Sequence, residues 1–373
     1  MDPRKFRLGL LLATGAAILS LLLPVGHDAL PLPLRSVPGG LVTGAIALFL
    51  LAAGIADARA AIPGLAGAAL AGSASLLLLG DPSIAGATAG GFWAIVVAAW
   101  LSAAMCVVNL AARRPLHTKR RGPIDLAVPL LFGAVVIYLW EVAVRGFGVP
   151  PVLLPAPSAA AARAMASLPM LEADFVQTFI RGVLAGYLVG CGAAILVAVL
   201  AHRYDALGRG LLPLGNFFAA LPLVGVAPIM VMWFGFDWPS KAAVVALVTF
   251  FPMLVNTLAG LSACGQIERD LMRSYAATHA QSLAKLDLPA ALPFIFNALK
   301  INATLALIGA IVAEFFGTPT QGIGFRISTE AGRMALDMVW AEITLAALAG
   351  MAFYGLVALA ERAATFWHPS YRT

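Results

Sequence analysis

The sequence predicts an all-α membrane protein, and three observations lead to this fold class. The 373 residues are 61% hydrophobic and only 11% charged, whereas soluble domains carry about 25% charged residues. Apolar windows of about 20 residues, the length that crosses the hydrocarbon layer as a helix, recur along the chain. Lysine and arginine are concentrated between particular windows. A soluble globular fold is excluded because it would leave large apolar patches in contact with water.

Ten windows predict transmembrane helices, four before a basic segment and six after it. The first four cover residues 8–27, 36–56, 60–80 and 82–112. The later six cover residues 126–145, 182–201, 210–236, 242–267, 301–319 and 343–360. We therefore predict an N-terminal four-helix extension in 1–112, a basic cytoplasmic linker in 113–124 and a six-helix core in 125–373. The first window lacks a convincing cleavage site, so we expect a span there rather than a removable signal.

The basic residues predict the orientation in the membrane. With both termini in the cytoplasm, 17 of the 24 lysines and arginines lie on the cytoplasmic side, as the positive-inside rule requires. This asymmetry also accounts for the net charge of +6. We therefore expect the lipid bilayer as a partner, expect no nucleic acid, and place both termini in the cytoplasm.

Motifs of catalysis and of metal or nucleotide binding are absent from the sequence. It contains no GxxxxGK[ST] phosphate loop, no HExxH and no GxSxG. The five histidines do not pair at ligand spacing, and the three cysteines are far apart. We expect no catalytic residue, no metal site, no cofactor and no enzymatic activity in this chain.

A polar stretch interrupts the apolar core, with the sequence SYAATHAQSLAKLDLPAALPFI at residues 274–295. One interpretation is a solvated connector between two spans; the other is a docking element for a cytoplasmic partner. From Asp270 the chain reads D-L-M-x(3)-A-x(9)-L-x-L-P. This pattern resembles the EAA loop of ABC-importer permeases, E-A-A-x(3)-G-x(9)-I-x-L-P.

The resemblance implies that residues 265–293 form a loop that couples the spans to a cytoplasmic ATPase. Ala276 takes the place of the family's glycine, and alanine favours a continuous helix. Pro289 and Pro293 are expected to terminate the helix and set its exit angle. The implied coupling residues are Asp270, Arg273, Ala276, Ala277, His279, Gln281, Leu288 and Pro289.

The resemblance covers about residues 125–365. TFIRGVLAGYLVG, LPLVGVAPIMVMWFGF and FFPMLVNTLAGL are similar to the nitrate/sulfonate/taurine branch, which includes importers of thiamine pyrimidine precursors. It implies a type I ABC importer permease with a second permease subunit, two copies of a separate ATPase and an extracytoplasmic binding protein. A homodimer is expected, with a heterodimer left open, and ATP hydrolysis belongs to the partner.

Four residues are candidates for the wall of the translocation pathway: Trp233, Phe234, Asn256 and Glu314. The aromatic residues either line the passage or sit in the interfacial belt. Asn256 either faces the passage or joins two helices. Glu314 lies deep in an apolar window, so it should face the bundle interior, a partner or water. Gating, helix pairing and solute contact remain open for it.

The expected function is import of a small polar organic solute, with a pyrimidine-like heterocycle favoured over nitrate or taurine. The alternative is an ion-coupled secondary transporter, which would need acidic relays inside the membrane or repeated broken helices. The N-terminal extension is either a peripheral scaffold or an added contact with a partner. The outer segment 324–342 either docks the binding protein or forms a solvated face.

Overall fold

The structure, a computed structural model, describes residues 15–16, 61–79, 88, 90–112, 123–204, 207, 210–211, 222–317 and 320–367. Within these ranges the regular elements are helices. The chain divides into two compact units, residues 1–160 and 161–373. The predicted all-α fold is therefore confirmed for the described residues.

Where the structure describes the first unit, it contains three long helices, α1 (Ala61–Leu78), α2 (Gly90–Ala112) and α3 (Pro123–Gly146). Phe92 and Val142 are completely buried between them. The Ser75 and Tyr138 hydroxyls lie 2.7 Å apart and join α1 to α3. The predicted windows 60–80, 82–112 and 126–145 correspond to these helices, whereas windows 8–27 and 36–56 lie outside the described residues. The four-helix extension and the 113–124 linker thus stay predictions.

In the described residues, ten helices belong to the second unit, which begins inside the first of them. They are α4 (Pro157–Ala166), α5 (Leu168–Phe175), α6 (Ala185–Arg203), α7 (Leu223–Phe234), α8 (Trp238–Leu261), α9 (Gln266–Ser274), α10 (His279–Ser282), α11 (Leu288–Glu314), α12 (Ile323–Gly332) and α13 (Leu336–Ala364). A π-helical segment, Val176–Leu184, joins α5 to α6, and a second, Leu283–Asp287, joins α10 to α11.

Five helices in the described residues are long and apolar enough to cross a membrane. They are Ala127–Gly146, Leu168–Arg203, Trp238–Leu261, His279–Glu314 and Leu336–Ala364. The predicted window 301–319 overlaps the C-terminal part of the fourth helix, which ends at Glu314, five residues before the window does. On its N-terminal side the helix extends further than the window because Lys300 and the polar residues before it interrupt the apolar run without interrupting backbone hydrogen bonding.

Helix α8 lies at the centre of the second unit and packs against α6 and α11. The α6–α8 contact depends on two glycines. A Cβ atom at Gly186 would lie 2.5 Å from the Cβ of Val245, and one at Gly190 would lie 2.8 Å from the Cα of Ala246. Small residues of this kind let two helix backbones approach closely inside a membrane.

Candidate functional site

Helix α9 has an exposed apolar stripe. Ile267, Leu271 and Tyr275 are 83%, 56% and 79% exposed, and their spacing of four residues places them on one face of the helix. Asp270 and Arg273 form an exposed ion pair of 3.1 Å beside this stripe. The α9 stripe (Ile267, Leu271, Tyr275) was not among the residues predicted to contact a partner, although its spacing is visible in the sequence.

Ala276 ends α9 in the left-handed conformation, with φ of 51°. The amide of Ala276 donates to the carbonyl of Arg273 at 2.9 Å, and that of Ala277 donates to Met272 at 3.0 Å. This pair of bonds is the Schellman motif, which usually has glycine at the left-handed position. The expectation of a continuous helix through Ala276 was therefore wrong. The backbone keeps the turn that the family's glycine favours, at the cost of placing an alanine in it.

A capping box starts the next helix immediately after this turn. The side chain of Thr278 accepts a hydrogen bond from the Gln281 amide, while the Gln281 side chain accepts one from the Thr278 amide at 2.8 Å. Such reciprocal bonds satisfy two amides that a helix start leaves open. Gln281 thus fixes the start of α10, and His279 is exposed beside it.

The prolines do not terminate the helix as predicted. A continuous helix runs from His279 to Glu314, with Pro289 in the first turn of α11 and Pro293 inside it. The π-helical turn Leu283–Asp287 directly precedes Pro289. Proline lacks an amide hydrogen and clashes with the preceding turn, and local widening of a helix is one way to absorb that conflict. Leu288 and Pro289 are half-buried here.

Asp287 is buried at the centre of a polar cluster that the sequence analysis missed. Its carboxylate lies 3.3 Å from Nε2 of His202 on α6 and 3.4 Å from the guanidinium of Arg269 on α9. Cys264 lies nearby, and burial, with a smaller effect of the Asp287 charge, raises the pKa of its thiol. An aspartate between two leucines and before a proline was the available signal.

Trp233 and Phe234 line a groove between α6, α7 and α8. The groove has a volume of about 610 Å³ and its other walls include Gly186, Gly190 and Phe250. Among the described residues that line it, none has a charged side chain. Both predicted aromatic residues thus face the same space.

Asn256 and Glu314 do not join the aromatic residues in this groove. The side-chain amide of Asn256 donates to the carbonyl of Pro252, one turn earlier in α8, at 2.8 Å. This bond lies within one helix, so it is not the predicted link between two helices. The four predicted pathway residues therefore do not form a single constellation.

Glu314 lies in a buried network near the C-terminal end of α11. Its carboxylate accepts hydrogen bonds from the Thr178 hydroxyl at 2.8 Å and from the Gly324 amide at 2.7 Å. The Thr178 hydroxyl in turn accepts from the amide of Ile323 at 2.8 Å. These contacts match the helix-pairing interpretation, since they join the α5–α6 segment, α11 and the start of α12.

A second buried carboxylate, Asp174, extends this network. It accepts from the Gly322 amide at 2.6 Å and from Nε of Arg326 at 2.9 Å. Glu342 on α13 is also fully buried, and its carboxylate oxygens accept no hydrogen bond from the described residues. We call Asp174, Thr178, Glu314 and residues 322–326 the outer network. Of these three acids, only Glu314 was a predicted site residue. Asp174 was not considered, and Glu342 was named only as part of the outer segment 324–342.

Lys241 is a further buried charge, and it was not among the predicted site residues. It is 1% exposed, and its ammonium group donates to the carbonyls of Phe236 and Gly317. Asp237, at the start of α8, accepts hydrogen bonds from the backbone amide of Trp238 and from the side chain of Gln177. These two bonds hold the pKa of Asp237 below its usual value, and the bond from Trp238 has the larger effect.

Comparison with known proteins identifies the family to which this chain is similar. Residues 183–371 match the family described as binding-protein-dependent transport system inner membrane component. The chain is 30% identical over 280 residues to the taurine transport system permease protein TauC of Escherichia coli, covering 70% of this chain and 98% of the relative. It is 29% identical over 239 residues to the formylaminopyrimidine transport permease protein ThiX of Halalkalibacterium halodurans, covering 64% and 95%. A putative aliphatic sulfonates transport permease protein of Bacillus subtilis, SsuC, is 30% identical over 244 residues, covering 65% and 88%.

Proposed function

Because the chain belongs to the family of binding-protein-dependent transport system inner membrane components, we propose that its loop 265–293 docks on a cytoplasmic ATPase and drives solute import. Family membership makes the chain a multi-pass inner-membrane permease of the ABC type, and its relatives are permease subunits rather than enzymes. The ion-coupled alternative is thereby set aside.

The exposed face of α9 carries this proposal. Large apolar side chains on a short helix among charged residues are typical of a surface that a partner covers. The Schellman turn at Ala276 and the capping box at Thr278 hold the two short helices at a fixed angle. Asp270, Arg273, Ala276, Ala277 and His279 lie on this loop, and Gln281 stabilises it. Leu288 and Pro289, half-buried at the start of α11, join the loop to the span.

The other subunits of the proposed transporter can be arranged around this docking contact. Two copies of the chain would present two loops to two ATPase subunits, and an extracytoplasmic binding protein would deliver the solute from the other side. Both termini would then lie in the cytoplasm, as the distribution of lysine and arginine favours. The ATPase subunits hydrolyse ATP, since this chain contains no phosphate loop.

The groove lined by Trp233 and Phe234 favours a planar, uncharged heterocycle as the solute. Aromatic rings offer stacking surface, and a sulfonate or nitrate ion would be desolvated in a groove without a charged lining residue. Glu314 and Asn256 would act on this pathway indirectly, since both are bonded inside the helix bundle. Uptake competition between formylaminopyrimidine and taurine in the wild type and in Trp233→Ala tests this assignment; preferential competition by taurine in the wild type would contradict it.

The docking experiment uses an affinity-tagged chain purified from its native membrane, with co-purifying ATPases identified by mass spectrometry of their phosphate-loop peptides. We expect an ABC ATPase with the wild type, and its loss in Leu271→Glu and in Ala277→Glu. Leu168→Glu is the matched control, because Leu168 is 52% exposed but lies on the predicted outer side. Retention of the ATPase by both loop variants would overturn the docking proposal.

A further inference from the structure

We propose that Asp287 is a positioning residue that transmits movement of the coupling loop to the spans α6 and α8. This inference rests on the proposed function, because it assigns a task to one residue of the same loop. Asp287 lies in the π-helical turn between α10 and α11, is 3% exposed and makes its contacts with other helices.

The contacts of Asp287 reach α6 on one side and α9 on the other. Its Oδ2 lies 3.3 Å from Nε2 of His202, in the last turn of α6. Its Oδ1 lies 3.4 Å from the guanidinium of Arg269 on α9. The ring of His202 also stacks on that of His279 in α10, with centroids 6.4 Å apart.

Arg269 extends the same connection to α8. Its guanidinium donates to the carbonyl of Leu261, the last residue of α8, at 3.1 Å, and to the carbonyl of Cys264 at 3.5 Å. The Asp287 carboxylate therefore joins α9 to the end of α6 just before α11 begins. Arg269 extends this contact to the end of α8, and His202 extends it to α10. We call Asp287, His202 and Arg269 the inner cluster.

The arrangement explains how a force on the loop would reach the membrane. The α9 stripe faces outward while Arg269, on the same helix, reaches inward to Asp287. Separating this carboxylate from its partners would leave a buried charge unpaired, which is strongly unfavourable. The α9 helix and the end of α6 should therefore move as one body when the ATPase moves.

The test measures the distance between spin labels on α6 and α9 in the purified complex with its ATPase. Labels are attached through ketone-bearing residues at Leu188 and Gln266, both of which are exposed, so that the native cysteines remain. In the wild type we expect the same distance without nucleotide and after trapping with ATP and vanadate. In Asp287→Asn we expect a shift of about 5 Å between the two states, roughly one helical turn, because α9 moves without α6.

Two further variants separate transmission from simple stability. His202→Gln leaves Arg269 in place but weakens the contact with α6, so it should produce the same shift. Glu361→Gln breaks another buried ion pair, in which Lys300 and Glu361 lie 2.7 Å apart and join α11 to α13. In this control the distance between the labels should stay the same with and without nucleotide, as in the wild type, even if the thermal stability of the variant falls.

The outcomes distinguish this inference from the proposed function. If the wild-type distance changes with nucleotide, or if Asp287→Asn behaves like the wild type, the inference is overturned while ATPase docking stands. If no ABC ATPase remains bound to the wild-type chain, the proposed function fails and the inference fails with it.

Discussion

The inner cluster and the outer network both hold buried carboxylates, but they hold them by different means. Asp287 faces the side chains of His202 and Arg269. Glu314 instead accepts from the Gly324 backbone amide and from Thr178, whose hydroxyl is itself bonded to the Ile323 amide. A backbone amide is fixed by the path of the chain, whereas long side chains can follow a moving partner.

This difference indicates a division of tasks between the two ends of the second unit. The outer network ties three segments together partly through the backbone amides of Gly322 and Gly324, besides the Asp174–Arg326 ion pair, and should behave as the more rigid anchor. The inner cluster connects helices through side-chain charges at the end where we expect the ATPase to act. A substitution in the outer network should therefore mainly lower the stability of the fold. A substitution in the inner cluster should mainly weaken the transmission of movement from the coupling loop to the spans.

The largest effect is expected for Gly322→Ala in the outer network. Gly322 has φ of 134°, and a Cβ atom there would lie 2.6 Å from a Glu314 carboxylate oxygen. Backbone strain and overpacking together should destabilise the protein by about 4 kcal/mol. The yield of monodisperse protein and the apparent Tm in detergent measure this loss. Gly332→Ala is the control, since nothing lies within 4 Å of that position; equal behaviour of the two variants would argue against a rigid outer network.

The second effect is expected for Glu314→Ala. The change leaves the amide of Gly324 without its carboxylate acceptor inside the bundle, which should cost about 3 kcal/mol. Glu314→Gln keeps a carbonyl oxygen that can accept a hydrogen bond from the Gly324 amide, so this variant should lose much less stability. Thermal unfolding of the two variants in the same detergent checks this order, and an alanine variant as stable as the glutamine variant would contradict it.

A smaller, stabilising effect is expected for Ala276→Gly in the coupling loop. An alanine at φ of 51° carries a steric cost that glycine lacks, so the substitution should stabilise the loop by about 1 kcal/mol. Ala280→Gly is the matched control, because Ala280 is helical and glycine there should destabilise by up to about 1 kcal/mol. Limited proteolysis of the loop reports both changes. If the protease cleaved Ala280→Gly more slowly than Ala276→Gly, the result would contradict this prediction.

The smallest effect concerns the alkylation of Cys264 beside the inner cluster. Burial first, and the Asp287 carboxylate among the smaller causes, raise the pKa of this thiol. Less thiolate is then present at a given pH, so the rate of alkylation should rise only at higher pH than for an ordinary cysteine. Asp287→Asn should shift the pH profile of the iodoacetamide rate downward. An unchanged profile, followed by mass spectrometry of the Cys264 peptide, would show that the charge does not reach the thiol.

Much of the fold and part of the candidate site could be predicted from the sequence. Hydrophobic windows located the spans because a helix inside lipid must be apolar over a nearly fixed length. The spacing around Asp270, Ala276 and Pro289 predicted a coupling loop, and this assignment stays a prediction. The path of the backbone through that loop could not be read, because alanine does not favour the left-handed turn that the surrounding bonds impose on Ala276.

The sequence by itself determined that this chain is a helical membrane protein and that its polar loop resembles that of an ABC permease, since composition and spacing are local properties. Only the tertiary structure decided which charges meet. Asp287 and His202 are 85 positions apart, and Thr178 and Glu314 are 136 positions apart. The physical reason is that a buried charge needs partners, and in a helical bundle those partners come from whichever helices pack beside it, which one-dimensional patterns do not specify.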